Sequence, residues 1–308
     1  MEQDLNVTYL ILGGHMEVDK YRHFYFITFL IVYLLIICSN STIVYLIWKH
    51  PNLHEPMYIF IAALLLNSVL LSTSIYPKLL VDFLSEKQMI SYDACLVQFS
   101  FFYSLGFSEF LLLAAMAYDR YVSICKPLQY PTIMRKTTVG SFLILAWILP
   151  ACQVVTLATM CANQKLCSFT LTVIFCKNTI YKLFCVASRA ITSFGLFILI
   201  SVAVFPVIFI IFTYIRIITI CYHSCGEVRR KAAQTCLPHL LVLINYFCLF
   251  MYDVITVRLE YDFPQIARFI MALQLVLYNP LFNPLIYGLK MKEIYKHLKS
   301  LIFQHKVH

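Results

Sequence analysis

The chain has 308 residues, of which 61% are hydrophobic and only 13% charged, with 24 Lys and Arg against 15 Asp and Glu. A soluble domain of this size carries about twice that charged fraction, so a water-soluble enzyme or nucleic-acid-binding domain is excluded for the bulk of the chain. The mean hydropathy of +0.79 and the seven Gly residues leave little material for phosphate-cradling loops or flexible linkers.

Residues 1–23, "MEQDLNVTYLILGGHMEVDKYRH", have no basic leader and no apolar core before Phe24. They do not read as a cleaved signal peptide, and the first apolar run is expected to serve as the targeting signal itself. Apolar windows then follow at about 24–48, 57–81, 96–119, 139–161, 191–215, 236–257 and 266–288. Each is long enough to cross about 30 Å of hydrocarbon at about 1.5 Å per residue. The runs are continuous rather than alternating, so helices are expected and not the short strands of a barrel. The polar stretch 162–190 keeps the fourth and fifth windows apart. The expected fold is an all-α membrane protein: one seven-transmembrane helix bundle over 24–288, an extracellular segment 1–23 and a cytoplasmic tail 289–308. Within that tail, "LKMKEIYKHLKSLIF" places Leu289, Ile294, Leu298 and Leu301 to one side, among Lys290, Lys292, Lys296 and Lys299. This pattern predicts a short amphipathic helix lying on anionic membrane lipid.

Orientation follows from charge. Segments 49–56, 119–138, 216–231 and 289–308 hold 14 of the 24 Lys and Arg. That bias puts the C-terminus in the cytoplasm. The sequon Asn6-Val7-Thr8 agrees, because glycosylation happens on the lumenal side only. A second sequon, Asn40-Ser41-Thr42, falls inside the first window and should be inaccessible. Of twelve Cys, five (Cys95, Cys161, Cys167, Cys176 and Cys185) fall at the outer face, where disulfides form. Spacing alone leaves their pairing open. Cys38, Cys152 and Cys248 read as small apolar filler. No Cys/His spacing matches a structural zinc site, and no metal or cofactor is expected.

The third window carries charges at unusual places. Cys95 and Arg120 are about 37 Å apart as helix, more than the hydrocarbon thickness, so the segment runs from one surface to the other. Glu109 precedes Arg120 by about three turns and shares its face, with Phe102, Gly106, Leu113 and Met116 near the same stripe. A carboxyl at membrane depth faces a bundle interior or an aqueous cavity. Snorkelling to the headgroups is the plain alternative for Asp119-Arg120.

The text around that pair is specific. "MAYDRYVSICKPLQYPTIM" (116–134) resembles the junction of the third helix and second inner loop of odorant receptors, a branch of the rhodopsin-like G-protein-coupled receptors. "LHEPMYIF" (53–60), "KAAQTCLPHL" (231–240) and "NPLFNPLIYGLK" (279–290) resemble the family's second, sixth and seventh helices. Trp147, Pro206 and Tyr214 also fit, as does the triple-Cys outer loop. "MYIFIAALLLNS" and "IYPKLL" look closest to fish-type members.

The resemblance implies a receptor that binds a small odorant in the outer half of the bundle and activates a stimulatory, olfactory-type heterotrimeric G protein, raising cAMP. Asp119 and Arg120 would form a latch, with Tyr121, Tyr214, His239, Asn283, Pro284 and Tyr287 in the coupling machinery. The ligand set by family position is Phe102, Tyr103, Gly106, Ile198, Leu199, Val202, Phe247, Phe250, Met251, Val254, Leu273 and Val276. The implied disulfides are Cys95–Cys176 and Cys167–Cys185. Cys161 is left over. Ser68 stands where most rhodopsin-like receptors have a buried Asp, and Glu109 faces the same region as a replacement, either as an ion ligand or as a protonated donor. The sixth window lacks the family's usual mid-helix Trp and Pro, and Phe247 occupies that place. Asp253, Arg189 and Arg258 stand near the rim, where a charged odorant could meet them and where solvated charges are the ordinary occupants.

Rival readings fare worse. The chain has no His-Glu-x-x-His, nucleophile elbow or Walker loop, so no enzyme is expected. A transporter would need inverted repeats and broken helices. A rhodopsin-like receptor for a non-odorant small ligand or short peptide is the nearest alternative.

Overall fold

The computed structural model describes residues 8–14, 18–222, 240, 243–244, 246–254 and 265–304. Asn6, His239 and Arg258 lie outside the described residues. The helices are α1 (Val18–Lys49), α2 (Pro56–Leu84), α3 (Tyr92–Cys125) and α4 (Lys136–Ala162). α5 follows, built from Arg189–Leu199, a π-turn at Ile200–Val204 and Phe205–Tyr222. α6 is described over residues 246–254, α7 spans Gln265–Lys290 and α8 spans Lys292–Gln304. Six of these helices are long and apolar enough to cross a membrane. Most of the window expected at 236–257 falls outside the described residues.

Local chemistry sets the helix ends and breaks. The Ser91 hydroxyl accepts from the Ala94 N–H and caps α3, which starts about a turn before its apolar window. The Ser188 hydroxyl caps α5 by accepting from Ile191 N–H. In α5 the Phe205 N–H reaches back to the Ile200 carbonyl, one residue further than an α-helix allows, directly before Pro206. In α7, Pro284 has no N–H to offer the Pro280 carbonyl. The Asn40 side-chain amide of α1 donates to that carbonyl at 2.8 Å. Asn40 is fully buried, as its unusable sequon required.

α3 runs through the middle of the bundle and packs on α2, α4 and α5. Asn67 ties three helices together: its amide donates to the Leu105 carbonyl at 2.9 Å and its oxygen accepts from Trp147 Nε1 at 3.2 Å. Cys38, Cys152 and Cys248 face outward from the bundle rather than filling its interior. At membrane depth the lipid side accepts a small apolar group as readily as the core does.

At one end, here the disulfide end, Cys95–Cys176 ties α3 to the loop after α4 and Cys167–Cys185 closes that loop on itself. Cys161 is free and buried. A small sheet forms beside them. β1 (Tyr9–Leu12) pairs antiparallel with β2 (Met89–Ser91) and parallel with β3 (Thr170–Leu171). Leu10 and Leu12 are buried while Tyr9 and Ile11 are exposed, the two-residue alternation of a half-buried strand. A Cβ on Gly14 would sit 2.3 Å from the Val173 carbonyl carbon, so only Gly allows the N-terminal segment to lie this close to the loop.

At the opposite end, α8 turns Ile294 into the bundle and exposes Lys292, Lys296 and Lys299. The rings of His50 and His297 stack at 3.8 Å between centroids, and Asn52 Nδ2 lies 3.2 Å from His297 Nε2. A Cβ on Gly288 would meet Ile43 at 3.2 Å, so α1 and α7 approach closely just before α8 begins.

Candidate functional site

α3 carries three polar assemblies, one at each end and one midway. At the disulfide end, Tyr103 donates its hydroxyl to Asp253 Oδ2 at 2.7 Å, and that hydroxyl accepts from the Asn178 N–H at 3.1 Å. Lys177 forms an ion pair with the other Asp253 oxygen, and the Asn178 amide donates to the Asp253 carbonyl at 3.2 Å. Asp253 is 3% exposed, so it is not a solvated rim charge. Its burial is offset by the Lys177 ammonium and the Tyr103 hydroxyl, the arrangement a buried carboxylate needs. The loop residues beside Cys176 thus clamp α3 to α6.

Under this clamp lies a cavity of about 430 Å³. Its apolar wall is Phe99, Phe107, Val154, Leu157, Ile198, Leu199 and Val254. Its loop side is Asn178, Tyr181, Lys182 and Ala187, and the first turn of α5 supplies Ile191 and Thr192. Of the residues expected at a ligand site, Tyr103, Ile198, Leu199 and Val254 line it. The others lie elsewhere in the packing. Phe102 packs on Phe175 at 5.0 Å, and Phe250 lies 5.0 Å from Phe107 and 5.5 Å from Phe110. Phe247 lies 6.3 Å from Phe110. The Gly106 carbonyl accepts from the Tyr246 hydroxyl at 3.1 Å, and a Cβ there would meet that oxygen. Val202 and Val276 are buried, and Met251 and Leu273 are half-buried against the core. The loop contributors Asn178, Tyr181 and Lys182 carry no periodic signal in the sequence. Their three- and four-residue spacing becomes one face only because Asn178–Leu183 coils as a 3₁₀ helix.

Midway, Glu109 is 1% exposed. Its Oε1 accepts from Asn279 Nδ2 at 2.9 Å and from Asn283 Nδ2 at 3.2 Å, and Asn283 Nδ2 also lies 3.3 Å from Ser68 Oγ. Ser68 and Glu109 therefore meet across α2, α3 and α7. Three buried oxygens here, Glu109 Oε2, Asn279 Oδ1 and Asn283 Oδ1, have no hydrogen-bond partner among the described residues.

At the far end Asp119 is fully buried. Arg120 donates to Asp119 Oδ2 from Nε at 3.2 Å and from Nη2 at 2.9 Å. The second carboxylate oxygen accepts from the Tyr130 hydroxyl at 2.8 Å. Tyr130 opens a single helical turn, Tyr130–Ile133, that folds back under α3, and sequence reasoning did not single it out. Leu53 and Met134, in the neighbouring loops, are buried. Tyr214 and Tyr287 are buried at this end, and Tyr121 is half-buried against the core. Pro284 is buried beside Asn283.

A bundle of apolar helices, tied by disulfides at one end and holding a buried acid–base pair at the other, is the build of a multi-pass membrane protein. The sequence model of the olfactory receptor family matches residues 29–305. The chain is 33% identical to human olfactory receptor 5AC2 over 305 residues, covering 96% of each chain. It is likewise 33% identical to human olfactory receptor 11H4 over 301 residues, covering 96% of this chain and 92% of that one. With human olfactory receptor 2M5 it shares 33% identity over 310 residues, covering 97% and 96%. The chain belongs to the olfactory receptor family.

Proposed function

We propose that this chain is an odorant receptor of the plasma membrane with its disulfide end outside and its α8 end in the cytoplasm. A small odorant enters the cavity under the Lys177–Asp253 clamp. Its binding favours an arrangement of α3, α5 and α6 in which Arg120 leaves Asp119 and turns toward a stimulatory, olfactory-type G protein, which raises cAMP. The observation that carries this reading is the placement along one helix of a cavity and a buried Asp119–Arg120–Tyr130 latch at opposite ends. Such a helix is a two-state element that a guest at one end can bias at the other, provided the guest binds the two states differently. The polar knot around Glu109 lies between them. Its three unpartnered oxygens suit either a proton on Glu109 or a small cation such as sodium, and a sodium-dependent rise in the receptor's thermal stability would select the cation.

The test is a panel of chemically distinct odorants on cells carrying the receptor and a stimulatory G protein, with cAMP as the readout. Ile198→Phe, which fills the cavity, should abolish responses while surface delivery is kept. Unchanged dose–response curves in that variant would place the binding site elsewhere.

A further inference from the structure

The cavity's chemistry is one-sided. Among the described residues its lining contains a single charged side chain, Lys182, and no acid. Lys182 is exposed and has no ion-pair partner among the described residues, whereas the neighbouring Lys177 is committed to Asp253. Asp253, in the clamp beside the cavity, has one oxygen on Lys177 and the other on the Tyr103 hydroxyl, so a ligand cation gains nothing from it. The first turn of α5 borders the same mouth at Ile191 and Thr192, and a helix N-terminus adds positive potential there. The exposed Arg189 adds a further positive charge at that turn. Finally, Asn178 lines the cavity's loop side; its buried Oδ1 lacks a hydrogen-bond partner among the described residues, although the amide's Nδ2 is held by the Asp253 carbonyl. A buried acceptor left without a donor is costly, so a guest that supplies the donor binds better for it.

We propose, resting on the odorant-receptor reading above, that the cavity selects amphiphilic carboxylates. Their compact apolar body lies among Phe107, Ile198, Leu199 and Val254, their carboxylate meets Lys182, and a hydroxyl or N–H beside the carboxylate donates to Asn178 Oδ1. A cavity of about 430 Å³ holds a ligand of this size and lies within the usual range for small-molecule pockets. The ion pair works mainly through selectivity: a neutral or cationic analogue leaves Lys182 with water alone or repels it. Because Lys182 is exposed, the expected gain is modest, about twofold to fivefold in affinity.

The experiment uses the purified full chain in lipid nanodiscs and four probes of equal chain length: octanoate, α-hydroxyoctanoate, octanol and octylamine. Binding is read by thermal shift and by titration calorimetry, independently of any G protein. Wild type should bind octanoate about twofold to fivefold more tightly than octanol, bind α-hydroxyoctanoate more tightly still, and reject octylamine. Lys182→Gln should bring octanoate down to the level of octanol without changing octanol, and Lys182→Glu should reverse the preference toward octylamine. The inference is overturned if wild type prefers octanol or octylamine, if Lys182→Gln keeps the octanoate preference, or if none of the four probes binds. In the last case, a cAMP response of the same receptor to some other odorant would leave the receptor reading standing.

Discussion

Replacing Tyr130 by Phe removes one oxygen and leaves the ring in place. The lost group is the hydroxyl that donates to the fully buried Asp119 at 2.8 Å. A hydrogen bond to a charged acceptor contributes about 1.5–3 kcal/mol, and the Asp119 oxygen it leaves behind has no other donor among the described residues. The contact belongs to the closed arrangement, in which Arg120 still lies on Asp119. Opening the latch breaks up that assembly, so the substitution raises the energy of the closed state alone. Each 1.4 kcal/mol is a factor of about ten, so the open fraction should rise by about tenfold or more. The assay is basal cAMP without odorant, normalised to receptor on the cell surface. Tyr130→Phe should give elevated basal output and a leftward odorant dose–response. Adding Arg120→Ala should return the output to background. Basal output equal to wild type, at equal surface density, would refute the idea that Tyr130 holds the latch.

Three further perturbations test other parts of the molecule. Cys95→Ala opens a bridge between residues 81 apart, for which chain entropy gives about 4.5 kcal/mol; surface delivery should be lost, and normal delivery with normal signalling would contradict a structural role for that bridge. Gly14→Val forces a side chain against the Val173 backbone and should peel β1 from the sheet, lowering the thermal midpoint of the purified receptor by several degrees; an unchanged midpoint would show that the strand adds nothing to stability. His50 titrates below its ordinary 6.5, first through lost hydration in its stack, then through the neighbouring His297 ring and the Lys49 ammonium. A histidine whose packed form resists protonation contributes fully above 6.5 and loses its contribution as pH falls below that value. Amide exchange in α8, corrected for intrinsic rates, should therefore speed up on acidification, and a pH-independent profile would rule the stack out as the cause.

The spans were legible because bilayer physics writes them as continuous apolar runs, and the inward seam of α3 because Glu109, Asp119 and Arg120 are too costly to face lipid. Window edges fell short at α3 by about one turn at its start and nearly two at its end, because Tyr92-Asp93 and the segment Arg120–Cys125, interrupted by Arg120 and Ser123, continue the helix beyond the apolar run. The rest depends on contacts between distant positions. β1 is four residues long and exists only through pairing with residues 89–91 and 170–171. The Lys177–Asp253 pair joins residues 76 apart and could not be told from two rim charges in sequence alone. Tyr130 reaches Asp119 because the chain turns back after Pro127, and a Tyr in a loop carries no mark of that. Asn178, Tyr181 and Lys182 line the cavity because two disulfides and a 3₁₀ coil fix the loop.

The claim on which the account turns is that a guest at the disulfide end acts through Arg120 at the other. The most direct measurement is odorant-evoked cAMP from Arg120→Ala and wild-type receptors at matched surface density, with odorant binding measured on the same membranes. The account predicts retained binding and no evoked cAMP in the variant. Undiminished cAMP would contradict it.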